Sequence, residues 1–338
     1  MAALPEGLLD AGVWFRVEAP GTAATVRRTA HRLAGELGMP ERRANDLSIV
    51  VAEAAGNLAK HADQGVLLLR PVRTAEQAGV EIVAIDSGPG MSDVAKAIGD
   101  GHSTAGTLGI GLGAIMRQAG WTDLHSVPGK GTVLAARVWP AAPPAPSWAA
   151  GITRPMTGES VSGDAFAIRE IDGCRQIMMC DGLGHGGLAA AAANEAVRGF
   201  TQATVRPPAA VVEALHRTLG KTRGAALAVA ELDPGAGRVL YAGLGNITGT
   251  VLTPDGGRRG MVSLPGIAGH QRRQTREYEY ALPPGAVVLM HSDGIVDRWN
   301  PGDYPGLLVH SPLVIAATVL RDAGTRRDDA GIVVAGSS

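Results

Sequence analysis

Glu53-Ala-Ala-Gly-Asn57-Leu-Ala-Lys-His61 lies in a run whose apolar residues Leu47, Val50, Val51, Ala54, Ala55 and Leu58 return every three or four positions. That period predicts a helix over Glu41–His61 with one face in a core. Glu53, Asn57 and His61 are four residues apart and share another face. A carboxylate one turn from an amide suits a base beside a metal ligand, although the triplet alone reads more simply as a solvated polar face.

The neighbouring segments change that balance. A second helix is expected over Thr22–Leu37, and two apolar runs, Val66–Leu69 and Val80–Ile85, read as an antiparallel pair around Gly79. Asp86-Ser-Gly-Pro-Gly-Met91 follows the second strand directly. Its glycines let a flat ring approach the backbone, and its carboxylate can accept from an exocyclic amine. Gly109-Ile-Gly-Leu-Gly113 then leads into a helix over Ala114–Ala119, whose first amides suit a phosphate chain. A strand over Thr132–Trp139 closes this half. Other nucleotide signatures fail: Gly109-x-Gly111-x-x-Ala114 has no strand before it, and Gly129-Lys-Gly-Thr132 lacks the spacing of a phosphate loop.

Pro140-Ala-Ala-Pro-Pro-Ala-Pro146 puts four prolines in seven residues. Such a stretch cannot continue a helix or a central strand, so it predicts a stiff, extended linker. The 338 residues then divide into a domain over 1–139, a linker over 140–148 and a second domain over 149–338. The second half predicts strands over Arg175–Cys180, Ala225–Leu232, Arg238–Leu244, Thr248–Leu252, Ala286–His291 and Gly331–Ala335. Helices are expected over Leu188–Thr201, Pro208–Leu219 and Pro312–Arg321. The fold class is therefore α+β, with an α/β sandwich followed by a β-sandwich flanked by helices.

Four aspartate corners mark the second half. They are Ser162-Gly-Asp164, Asp181-Gly-Leu-Gly-His-Gly-Gly187, Ser292-Asp-Gly294 and Asp328-Asp329 before the last strand. A single Asp-Gly pair is an ordinary turn. Four carboxylates at strand ends, brought from separate segments, supply the oxygen ligands that hard divalent cations need. Two such ions about 3.5–4 Å apart generate a nucleophilic hydroxide.

Composition limits the alternatives. Lys plus Arg number 31 against 32 Asp plus Glu, a formal charge of −1, which removes the electrostatic argument for a nucleic-acid or membrane-surface partner. Two cysteines, Cys174 and Cys180, are too few for a disulfide scaffold and read as buried strand thiols. No apolar run approaches the roughly 20 residues that span a bilayer, and residues 1–10 lack a basic leader. A cytoplasmic protein is expected. His185 reads as a loop histidine with a local partner, and Arg272, Arg273 and Arg276 as a solvated loop.

With these motifs in place, the first half resembles the gyrase, chaperone and histidine-kinase (GHKL) ATPase fold, and within it the RsbT and RsbW type of small serine kinase. Residues 53–61 look like the N box, 86–91 like the first glycine box, 100–113 like the lid and second glycine box, and 126–132 like the last box. The resemblance implies that Asn57 holds Mg²⁺ and that Asp86, with Gly88 and Gly90, reads adenine. It also implies that Gly109, Gly111 and Gly113 wrap the phosphates of ATP, that Thr132 belongs to the cofactor site, and that Glu53 orients or deprotonates a substrate serine.

The second half resembles the SpoIIE-type branch of metal-dependent Ser/Thr phosphatases, most closely RsbX-like members. This implies two Mn²⁺ or Mg²⁺ ions, bridged by Asp181, with the Gly182 carbonyl, Asp164, Asp293 and Asp328 completing the ligands. The usual small hydroxyl residue after the last Asp pair is replaced by Ala330-Gly331. Together the halves imply a bifunctional kinase and phosphatase acting on STAS-domain anti-sigma antagonists or stressosome-type proteins, and they allow a homodimer. The alternative is a phosphatase gated by a non-catalytic ATP- and partner-binding sensor.

Overall fold

The computed structural model describes residues 12–17, 20–99, 111–271 and 274–337. Contacts divide the chain between Pro146 and Ser147 into two units.

The N-terminal unit runs β1 (Val13–Arg16), α1 (Pro20–Glu36), α2 (Glu41–His61), β2 (Val66–Arg73), β3 (Ala78–Ile85), α3 (Val94–Ile98), α4 (Gly111–Gln118), β4 (Trp121–Val127) and β5 (Gly131–Val138). Its sheet is antiparallel throughout, in the order β1-β2-β3-β5-β4. Helix α2 occupies the expected residues. Its first turn carries Glu41 and its last turn Lys60 and His61, charges of the sign the helix dipole favours at each end. The six apolar residues that revealed its period are all buried, packed with Leu67, Leu69, Val80, Ile82, Ala84, Leu134, Ala136 and Val138 of the sheet. Strand β4 was not expected. Its apolar residues Trp121, Leu124 and Val127 recur every third position around Thr122, Asp123, His125 and Ser126, which hides the two-residue period of a strand. A charged ladder also crosses the sheet: Glu81 faces Arg70 on one side and Arg137 on the other.

The C-terminal unit runs β6 (Ala149–Arg154), β7 (Asp164–Ile171), β8 (Cys174–Gly182), α5 (Gly187–Gln202), α6 (Pro208–Thr218), β9 (Ala225–Asp233), β10 (Arg238–Leu244), β11 (Thr248–Leu252), β12 (Arg258–Met261), β13 (Ser263–Leu264), β14 (Tyr278–Ala281), β15 (Val287–His291), α7 (Pro312–Ala323) and β16 (Ala330–Gly336). One sheet has the order β13-β10-β9-β8-β7, with β14 also paired to β10, and the other the order β12-β11-β15-β16-β6. The sheets face each other through β6, β7, β8 and β16, with α5 and α6 outside the first and α7 outside the second. Alanine makes this close layering feasible: Ala189, Ala192, Ala193 and Ala196 of α5 are all buried.

Segment 140–146 carries no helix or strand. Cys180 is buried as expected, but Cys174 is only half-buried because it opens β8 beside the tight turn at Asp172 and Gly173, both at positive φ.

Candidate functional sites

In the N-terminal unit, Glu53 and Asn57 lie half-buried on α2. The first residue of α4, Gly111, is packed onto both: a Cβ there would lie 3.0 Å from Glu53 Oε2 and 3.2 Å from Asn57 Oδ1. A side chain here would press on the ends of both groups, so glycine lets the N-terminus of α4 lie against the carboxylate and the amide without displacing them. Gly113 is buried within the same helix. Gly109, with the rest of 100–110, lies outside the described residues.

Asp86 follows the last residue of β3. Its Oδ1 accepts from Gly88 N at 2.8 Å, and its backbone pairs with Thr132 in both directions. Gly90 has φ +66°, and its α-carbon faces the Val127 carbonyl so closely that a Cβ would overlap it. Gly131, at φ +95°, stands in the same relation to the Asp86 carbonyl. Ser126 Oγ joins the two sides, donating or accepting at 2.9 Å with Thr132 Oγ1 while accepting from Met91 N at 2.9 Å. Segments 86–91 and 126–132 thus form one interlocked corner. His61 is exposed at the end of α2, and its carbonyl lies against Gly88.

In the C-terminal unit, Asp164 and Asp181 occupy directly opposed positions on β7 and β8. Like charges so placed repel. Asp164 is 4% exposed. Its Oδ2 accepts from Ser292 Oγ at 2.5 Å, while its Oδ1 is buried without a hydrogen-bond donor. Asp293 lies two residues beyond β15, and its Oδ2 accepts from Asn246 Nδ2 at 2.8 Å. The last aspartate pair divides the work. Asp329 is buried and accepts from Met156 N and Gly163 N at 2.8 and 2.7 Å, which fixes the chain entering β7. Asp328 is exposed and accepts only from Asp329 N among the described bonds, at 2.9 Å. Gly182 is held against the Ala189 carbonyl, which leaves no space for a side chain.

The electrostatics follow from this crowding. Asp164 is held well above the carboxylate range, first by burial and then by Asp181, against the relief from Ser292. Asp181 is pushed up to about 7 by burial, then by Asp293, Asp328 and Asp329. Asp293 is raised by burial and Asp328, with the Asn246 bond opposing. Among the described residues no three Asp, Glu, His or Cys side chains are drawn together closely enough to grip an ion as they stand. The donor set nevertheless fits a hard divalent cation: mutually repelling carboxylates from four segments and one buried oxygen that lacks a donor.

The sequence assigned no role to Ser292 or Asn246 and grouped Asp329 with Asp328 as a ligand corner, whereas Asp329 is spent on backbone N–H groups. Each of the three acts by holding another residue, and its partner is distant in sequence. Gly331 has a packing reason: a Cβ there would lie 2.9 Å from Asp164 Cβ and nearer still to Met179. His185 is exposed, with Nδ1 2.9 Å from Glu159 Oε1. Arg276 is exposed, and Arg272 and Arg273 lie outside the described residues. No helix among the described residues is long and apolar enough to cross a membrane.

Residues 17–137 match the histidine kinase-like ATPase domain family, and residues 172–335 match the stage II sporulation protein E (SpoIIE) family. The serine/threonine-protein kinase RsbT of Bacillus subtilis (strain 168) is 34% identical over 113 residues, covering 33% of this chain and 85% of that protein. The phosphoserine phosphatase RsbX of the same organism is 22% identical over 141 residues, 41% of this chain and 69% of that protein. A solved structure described under "The bacterial stressosome: a modular system that has been adapted to control secondary messenger signaling" is 30% identical, with a TM-score of 0.50, and covers 55% of this chain and 97% of its own.

Proposed function

The chain belongs to the histidine kinase-like ATPase family over residues 17–137 and carries a SpoIIE domain homologous to RsbX over residues 172–335, and on that premise we propose that it is a partner-switching enzyme with two opposed activities. The N-terminal unit transfers phosphate from ATP to a serine of a STAS-domain regulator. The C-terminal unit removes phosphate from serine or threonine of such a regulator. The name of RsbT as a kinase, the name of RsbX as a phosphatase and the stressosome relative support this reading.

In the kinase half, Asn57 would hold Mg²⁺ with the nucleotide and Asp86 would accept the adenine amine. The start of α4 would face the phosphates, where its free amides favour negative charge. Glu53, one turn before Asn57, would orient a serine hydroxyl and take its proton. Phosphoryl transfer needs mainly positioning and charge neutralisation, so this small set suffices.

In the phosphatase half, Asp181, the Gly182 carbonyl, Asp293, Asp328 and Asp164 would hold two Mn²⁺ or Mg²⁺ ions. When bound, such ions supply a hydroxide nucleophile at neutral pH and offset phosphoryl charge. The chain's own contribution is orientation. Ser292 fixes one oxygen of Asp164 and leaves the other buried without a donor, Asn246 holds Asp293, and Asp329 anchors the backbone before Asp164. The observation that carries this half is the Asp164–Asp181 pair, a repulsion built into facing strands with a buried oxygen left over.

The test is intact-mass analysis of a STAS-domain partner incubated with ATP, Mg²⁺ and Mn²⁺ and with wild type, Asp181→Asn or Asp181→Asn/Glu53→Ala protein. Phosphate accumulating only with Asp181→Asn supports both activities. If no variant adds phosphate while wild type strips a pre-phosphorylated partner, the N-terminal unit acts as a sensor for that partner and the kinase reading fails.

A further inference from the structure

The turn between α6 and β9 presents an arginine against the loop that follows Asp181. Leu183, two residues beyond Asp181, donates its N–H to the Gly224 carbonyl at 3.0 Å, so the two loops are stitched together. Gly224 has φ +80°, and a Cβ there would crowd the Ala268 carbonyl and the His270 ring. Its N–H is satisfied by Thr222 Oγ1 at 3.0 Å, and Thr222 O lies 3.2 Å from His270 Nε2. The backbone on both sides of Arg223 is therefore fixed.

The Arg223 side chain is exposed and lies over Gly184, its Nη1 3.2 Å from the site a Cβ would take there. Gly184 has φ +88°, a backbone conformation that favours glycine under the guanidinium. Arg223 makes no hydrogen bond or ion pair with a described residue. A guanidinium that lies over the loop following Asp181, on a backbone tied to that loop and with no bond of its own, is available to an anion. A guanidinium offers the planar fork that phosphate oxygens accept.

We propose that Arg223 holds the phosphoryl group of the substrate in the C-terminal site, binding its outer oxygens while the aspartate cluster faces the reacting phosphorus. The assignment rests on the phosphatase reading of that site and names a substrate-binding residue for it. Gly184 and Gly224 are the features that permit it: one yields space under the guanidinium, the other bends the chain so that Arg223 meets the Asp181 loop. Arg327, immediately before Asp328, is another exposed cation of this unit and serves as the control.

The experiment uses the full chain with Mn²⁺, a phosphoserine peptide as substrate and inorganic phosphate as competing anion. Arg223→Ala is expected to raise KM for the peptide and Ki for inorganic phosphate together, by about tenfold to a hundredfold, the range of a charge-assisted hydrogen bond. Arg223→Lys should recover part of both. The Mn²⁺ concentration for half-maximal activity and the melting temperature should stay at wild-type values. Unchanged KM and Ki in Arg223→Ala overturn the proposal, as does an equal rise confined to Arg327→Ala. If wild type hydrolyses no phosphoserine peptide, it is the phosphatase reading that has failed. Calorimetry with inorganic phosphate then decides the role of Arg223: binding lost in Arg223→Ala supports it, and no binding by wild type overturns it.

Discussion

Replacing Asp181 with asparagine removes one charge from a cluster that repels itself, and the consequence for stability can be worked from the structure. Asp181 is held at about 7 by burial and by Asp293, Asp328 and Asp329, whereas an aspartate in an unfolded chain titrates near about 3.9. The difference corresponds to about 4 kcal/mol between the two protonation states. The side chain is only half-buried, and solvent screening reduces the expected effect to about 2 kcal/mol. A carboxyl whose folded pKa is raised binds its proton more tightly in the folded state. Wild-type stability in the absence of metal therefore falls as pH rises from about 4 to about 7, and stays low above that. Asparagine keeps the shape and carries no charge, so the variant escapes this loss. Urea titrations in EDTA should show Asp181→Asn more stable than wild type by about 2 kcal/mol at pH 8, with the gap closing toward pH 4. If Asp181 is a metal ligand as proposed, Mn²⁺ at pH 8 should then raise wild type far more than the variant, which lacks that carboxylate. A gap between variant and wild type that is the same at pH 8 and pH 4.5 would refute the reasoning.

Three further outcomes are expected. Gly111→Ala places a methyl against Glu53 and Asn57, so titration with a fluorescent ATP analogue should show affinity reduced about tenfold, while the melting temperature holds or rises because alanine favours the helix. Glu81→Gln leaves Arg70, 1% exposed, and Arg137 without their shared carboxylate, and should destabilise the N-terminal unit by about 3–5 kcal/mol in chemical denaturation. Burial raises the Glu81 carboxyl, but the two arginines outweigh it and hold the net value below the ordinary one; this contribution is complete above about pH 4.3 and is lost as pH falls through the folded value, so the variant's deficit should shrink only in acid. Asn246→Ala frees Asp293 from its 2.8 Å donor, and the Mn²⁺ concentration for half-maximal phosphatase activity should rise by about tenfold or more.

Much of the fold was legible because its signals are local. The period of Leu47, Val50, Val51, Ala54, Ala55 and Leu58 gave α2 its residues, and four prolines in seven residues marked the break between units. Strand β4 stayed hidden because an edge strand with three-residue apolar spacing lacks the alternation that identifies strands. Strand β7 stayed hidden because Arg169 and Glu170 interrupt its apolar run. Arg169 is buried there by bonds to the carbonyls of Phe200, Ala203 and Val205, about thirty residues away in sequence.

The candidate sites divide along the same line. Residue types and order alone pointed to Glu53, Asn57 and Asp86 as a nucleotide constellation and to Asp164, Asp181, Asp293 and the Asp328-Asp329 pair as an oxygen-ligand set, because the chemistry restricts which side chains can serve; the choice of Asp328 from the pair came from the resemblance. Tertiary structure decided what holds them. Gly111 comes against Glu53 and Asn57 only when α4 crosses α2, Ser292 reaches Asp164 only when the two sheets stack, and Arg223 meets the Asp181 loop only through the bond from Leu183 to Gly224. A local motif is written in neighbouring residues, whereas these contacts join residues 41 to 128 positions apart and exist only after the chain has closed those loops.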